Sequence, residues 1–107
     1  MNPVTAALKA LANPNRRAVY QVICRAWKSR REGITIERIC RATRMKQPAV
    51  SHHVSGLTAA GLIERRKSRW WVYCTPARNG LDALSKFLRN PGAFPRGEGK
   101  RKARVSR

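Results

Sequence analysis

The stretch Gln47-Pro48-Ala49-Val50-Ser51-His52-His53-Val54-Ser55-Gly56-Leu57-Thr58-Ala59-Ala60-Gly61-Leu62-Ile63 decides the fold. Val50, Val54 and Leu57 recur at spacings of four and three, the period of one helix face. Pro48 suits a first turn, where a missing N–H costs nothing. Gly61 suits the end, because it adopts the left-handed conformation without a Cβ penalty. The pattern predicts a helix over 47–60 with one apolar side. Its other side offers Lys46, Gln47, Ser51, His52 and Ser55, short or medium donors and acceptors near the N-terminal half. No acidic residue lies between Gln47 and Ala60, so a polyanion meets no repulsion along this face.

Upstream, Thr35 is placed to cap a short helix whose inner face is Ile36, Ile39, Cys40 and Thr43. Glu37 falls in its first turn, where a negative charge suits the helix dipole. Arg44-Met45-Lys46 makes a tight connection to the next helix. A longer helix is predicted over 15–28, with Val19, Val22, Ile23 and Ala26 on one side and Trp27 at its end. Asn13-Pro14-Asn15 separates it from a short helix over 4–11, and Ser29 to Gly33 is a polar loop.

Downstream of Gly61 the period shortens from about 3.6 to 2. Residues 62–65 read as a strand, 66–68 as a polar turn and 69–75 as a second strand. Trp70 and Trp71 are expected to be mainly structural, one anchoring the hairpin and the other more exposed. A last helix over 77–89 places Leu81, Leu84, Phe87 and Leu88 on one face, although Gly80 weakens its first turn. The fold class is mainly α with a β-hairpin wing: a winged helix-turn-helix of about five helices and two antiparallel strands. Residues 1–90 form that domain. Residues 91–107 form a basic tail expected to be disordered, with six Lys and Arg against Glu98 alone over 96–107.

Charge narrows the partner. Twenty-four Lys and Arg against five Asp and Glu give a net charge of +19. Such a charge repels itself in a compact domain, and a polyanion relieves that repulsion. No apolar run approaches the ~18 residues of a membrane span. The first residues lack the basic start and apolar core of a signal peptide, so a cytoplasmic location is expected. Cys24, Cys40 and Cys74 are too widely spaced for a zinc knuckle and are expected to be reduced and mostly buried. Adjacent helix positions diverge by about 100°, so His52 and His53 do not share a metal ion. One is expected to contact DNA and the other to pack or cap. No acid–base pair or nucleophile with its base is evident, which argues against an enzyme.

The segment Gln47 to Val54, followed by Leu57 and Ala60-Gly61-Leu62-Ile63, resembles the recognition helix of ArsR-type (SmtB/ArsR) winged-helix repressors. Ala10-Leu11-Ala12-Asn13-Pro14-Asn15-Arg16-Arg17 resembles that family's start of the second helix, and 65–73 its wing. The resemblance spans residues 6–88. It implies a homodimer formed through the first and last helices, where Val4, Leu8, Leu11, Leu81, Leu84 and Leu88 are the candidate interface. It implies binding to an inverted repeat, usually as a repressor. It places Gln47, Ser51 and His53 among the family's DNA contacts and His52 at its variable base-reading position.

The departures bear on chemistry. Thr35 and Glu37 stand where metal-sensing members carry a Cys-x-Cys pair. The last helix has Asp82 but no histidine, so no metal or other cofactor is expected. Ser68 replaces the usual wing-tip glycine, and Lys46 the usual capping serine. The expected partner is double-stranded DNA, held by the recognition helix and by Arg65, Arg66, Lys67 and Arg69 of the wing. Two other readings stay open. One is an architectural protein with little sequence preference, favoured by the +19 charge. The other is an RNA-binding winged helix that stacks bases on its paired tryptophans.

Overall fold

The computed structural model describes residues 2–93; residues 94–107, with most of the basic tail, lie outside the described residues. Helix α1 (Pro3–Ala12) opens on Asn2, whose side chain accepts from the backbone N–H of Val4 at 2.7 Å. Asn13 ends α1 and begins helix α2 (Pro14–Ser29), accepting from Asn15 N at 2.9 Å. Pro14 thus sits in the first turn of α2, where its missing N–H costs nothing. A short strand β1 (Ile34–Thr35) leads into helix α3 (Ile36–Thr43), which Thr35 caps through Arg38 N at 3.3 Å. Arg44 then adopts a left-handed conformation, φ 62°, and turns the chain into helix α4 (Gln47–Ala59). Strands β2 (Ile63–Ser68) and β3 (Trp71–Pro76) form the hairpin, and helix α5 (Arg78–Arg89) follows.

The core gathers where these elements meet. Val19 and Ile23 of α2, Ile39 of α3, and Val50, Val54 and Leu57 of α4 are fully buried. Leu62 and Ile63 carry the core from the end of α4 into the hairpin, and Cys74 closes it from β3. The four-three stripe of α4 is therefore its buried face.

The two-stranded antiparallel wing is present as expected, and a short third strand joins it in the order β1-β3-β2. Ile34 pairs with Cys74 and Thr35 with Tyr73, all antiparallel. A two-residue strand carries no alternation to read, which is why sequence pattern misses it. The turn also lies further along the chain. Arg66, Lys67 and Ser68 are strand residues paired with Tyr73, Val72 and Trp71, and the loop is Arg69-Trp70. Arg69 has φ 56°, the left-handed region that glycine or asparagine usually fills in such loops.

Trp70 and Trp71 do not anchor the wing. They are 86% and 47% exposed, so the expectation that one packs on the core fails. The hairpin is held instead at its base, by β1 and by Leu62, Ile63 and Cys74.

Helix α5 packs on α1. Its approach to the end of α4 depends on glycine. Gly61, φ 74°, ends the α4 turn, and its carbonyl accepts from Gly80 N at 2.8 Å. A methyl group on Gly80 would lie 2.9 Å from both the carbonyl carbon and oxygen of Gly61, and closer still to Ala60 O. The glycine that weakens α5 by propensity is what lets α5 dock.

Candidate nucleic-acid interface

Helices α3 and α4 are joined by three residues, the spacing of a helix-turn-helix. At the start of α4, Lys46 occupies the N-cap without a side-chain cap bond. The first backbone N–H groups of α4 are therefore open to an outside acceptor, and the positive end of the helix favours an anion there. Lys46 and Gln47 are exposed beside them. Gln47, Ser51 and Ser55 recur every four residues along one row of the helix, with Ser51 half-buried and the other two exposed. His52 is exposed next to this row.

His53 is not on that surface. It is buried, 8% exposed, although the resemblance places it among the family's DNA contacts. Arg16, from the first turn of α2, reaches both histidines. Its Nε donates to His53 Nδ1 at 3.4 Å and its Nη2 meets His52 Nε2 at 3.3 Å. A guanidinium cannot accept a hydrogen bond, so the nitrogen it faces on each ring must carry the lone pair. Neutral His53 then carries its proton on Nε2. Burial, and next the Arg16 charge and His52, hold His53 below the ordinary histidine value of 6.5. Gly56 makes room for this bridge, since a methyl group there would lie 2.7 Å from Arg16 Cζ. Sequence reading passed over Arg16. Its available signal was Gly56, an isolated glycine inside a helix, which usually has a packing reason.

The wing residues divide. Pairing sets Arg65 and Lys67 on one face of β2, and Arg66 and Ser68 on the other. Arg65, Lys67 and Arg69 are exposed and make no hydrogen bond or ion pair among the described residues. Arg66 is engaged within the protein. Its Nη2 donates to Glu32 O at 2.9 Å, and its guanidinium lies 5.8 Å from the Tyr73 ring centroid. Arg66 thus braces the hairpin against the loop before β1.

The candidate dimer residues divide too. Leu8, Leu81 and Leu88 are exposed, joined by Phe87, whereas Val4 and Leu11 are half-buried. Leu84, 7% exposed, packs in the core of the single chain. Cys74 is buried, and burial pushes its thiol up to about 11. Cys24 and Cys40 are half-buried. Among the described residues no group of three or more His, Cys, Asp and Glu is placed to hold a metal ion, and no helix is long and apolar enough to cross a membrane.

The sequence model of a family described as a helix-turn-helix domain matches residues 11–66. No curated protein matches the chain. Solved structures do. An ArsR-like transcriptional regulator from Rhodococcus sp. RHA1 superposes with a TM-score of 0.71 at 17% identity, covering 96% of this chain and 88% of that one. The homodimeric winged helix-turn-helix DNA-binding domain of Mb0332 from Mycobacterium bovis, a possible ArsR-family regulator, gives 0.64 at 24% identity, covering 81% and 75%. The transcriptional regulator HlyU from Vibrio vulnificus CMCP6 gives 0.58 at 28% identity, covering 79% and 82%.

Proposed function

We propose, from the premise that this chain belongs to the helix-turn-helix domain family and is a DNA-binding transcriptional regulator, that it acts as a homodimeric, ArsR-like repressor reading an inverted repeat. The observation that carries this reading is the exposed row of α4. An uncapped positive helix end, Lys46, Gln47, Ser51, His52 and Ser55 stand together with no acid among them. A helix of this character fits the major groove, where its first turns meet base edges and phosphates. Gln47 and His52 are assigned to bases, Lys46 to phosphate, and Arg65, Lys67 and Arg69 to the backbone beside the minor groove. Arg16 and His53 support His52 from behind.

The dimer reading rests on Leu8, Leu81, Phe87 and Leu88, apolar side chains left exposed where α1 and α5 pack together. Two copies joined there would present two α4 helices to half-sites about one DNA turn, ~34 Å, apart. The domain is assigned to residues 1–90, and the basic remainder adds phosphate contacts without sequence preference.

The deciding experiment is binding to the DNA upstream of the protein's own gene against scrambled DNA of equal length, across a salt series. A preference of about a thousandfold that survives near-physiological salt supports the specific regulator. Equal binding that collapses together with salt supports an architectural DNA coat, the reading that the +19 charge favours.

A further inference from the structure

The tip of the wing holds a side chain that neither folding nor the contacts above use. Trp70 is 86% exposed, and its partner in the two-residue loop is Arg69 at φ 56°. Turn chemistry favours small residues or asparagine here, so the turn itself does not call for Arg-Trp. The third strand stops short of this region. β1 pairs only with Tyr73 and Cys74, so the hairpin beyond Tyr73 is two-stranded. At about 3.3 Å per residue, Trp70 projects about 10 Å past the last three-stranded row. Exposed Lys67 and Arg69 lie near it at the end of the hairpin, and no acidic residue occurs from Arg65 through Thr75.

We infer that Trp70 is an apolar wedge that enters the minor groove of double-stranded DNA and opens a base step, with Lys67 and Arg69 holding the flanking phosphates. This rests on the DNA-binding reading above. The B-form minor groove is about 6 Å wide and 7.5 Å deep, within reach of a tip that projects about 10 Å past the last three-stranded row. An indole is flat enough to slide between base pairs, and apolar side chains inserted this way kink the duplex. The kink is least costly at pyrimidine–purine steps, so Trp70 adds a preference at a position where no hydrogen bond reads a base. An aromatic beside cations also suits an anionic lipid surface. DNA is favoured because the hairpin continues directly from α4, whose row of Gln47, Ser51 and Ser55 is polar.

The test uses the full chain carrying Trp27→Phe and Trp71→Phe, which leaves Trp70 as sole reporter. Its emission is followed on adding a 30-base-pair mixed-sequence duplex at low salt, a 15-nucleotide polyuridine, or phosphatidylglycerol vesicles. In parallel, Trp70→Ala and Trp70→Leu in the otherwise natural chain are titrated with duplexes carrying 2-aminopurine at a TA step. The duplex is expected to quench Trp70 emission by more than half. Trp70→Ala is expected to weaken duplex binding about five- to a hundredfold, the range of a lost stacking contact, with the salt slope unchanged. The 2-aminopurine signal should rise with the natural chain, rise partly with Trp70→Leu, and stay flat with Trp70→Ala. Duplex binding with silent Trp70 emission and full Trp70→Ala affinity overturns the wedge alone. Failure of the natural chain to bind any duplex overturns the DNA reading with it. Tighter quenching by polyuridine or by vesicles than by duplex reassigns the tip to unpaired RNA or to lipid, and the wedge falls.

Discussion

Replacing Gly80 with alanine tests the docking of α5 most directly. By propensity alone Gly80→Ala should help, since alanine is favoured over glycine inside a helix by up to about 1 kcal/mol. The surroundings reverse the sign. The added methyl would sit 2.9 Å from the Gly61 carbonyl carbon and oxygen, backbone atoms that cannot swing aside. Relief requires α5 to back away, which stretches the 2.8 Å bond from Gly80 N to Gly61 O. Overpacking of this kind costs about 1–3 kcal/mol and the lost hydrogen bond about 1 more. After the propensity gain, about 2 kcal/mol of destabilisation remains, a fall in Tm on the order of 10 °C for a domain of this size. Thermal and urea unfolding measure it, and Gly92→Ala, whose methyl would meet nothing within 4 Å, is the control. Sedimentation should also show weaker self-association, because α5 carries Leu81 and Leu88. An unchanged or raised Tm for Gly80→Ala would refute the claim that close approach, not propensity, selects glycine here.

Other outcomes follow from the same geometry. His53 is held below its ordinary value, so the unfolded chain takes up its proton first as pH falls through about 6.5. Stability should be full above that value and decline on acidification toward the depressed folded value. His53→Gln should flatten this part of the profile, and an unaltered slope would remove His53 from the account. Cys74, pushed up to about 11 and buried, should resist alkylation in the folded protein and react only on unfolding; labelling at the rate of a free thiol would contradict its place in the core. Gln47→Ala should relax preference at one base step, whereas Lys67→Ala should weaken all sequences alike and lower the salt slope by about one. Identical behaviour of the two variants would erase the division between reading and anchoring.

The helices were legible because their evidence is repeated. The stripe Val50, Val54, Leu57 states a period, Thr35 states a cap, and Gly61 states a stop, and all three agree with the structure. The hairpin was legible in kind but not in register. Arg66-Lys67-Ser68 looks like a turn because it is polar, yet a wing that faces solvent on both sides has no apolar alternation to fix where the strands end. Strand β1 was hidden for lack of length. At the candidate site, residue types pointed to the α4 surface, but burial separated His52 from its neighbour His53. Their divergence around the helix was legible, whereas Arg16, which reaches both from another helix, was announced only by the isolated Gly56.

Thr35 occupies an unusual crossing. Its backbone pairs with Tyr73 of the wing, while its hydroxyl caps the helix that precedes α4. Hairpin and helix-turn-helix are therefore clamped to one residue and cannot pivot independently. The result is a gauge with fixed jaws. On the proposed reading, the number of base pairs between the step met by the wing tip and the bases met by α4 is set by the protein before any DNA arrives. An insertion beside Thr35 resets it, and would shift the whole footprint by a step rather than merely weaken it.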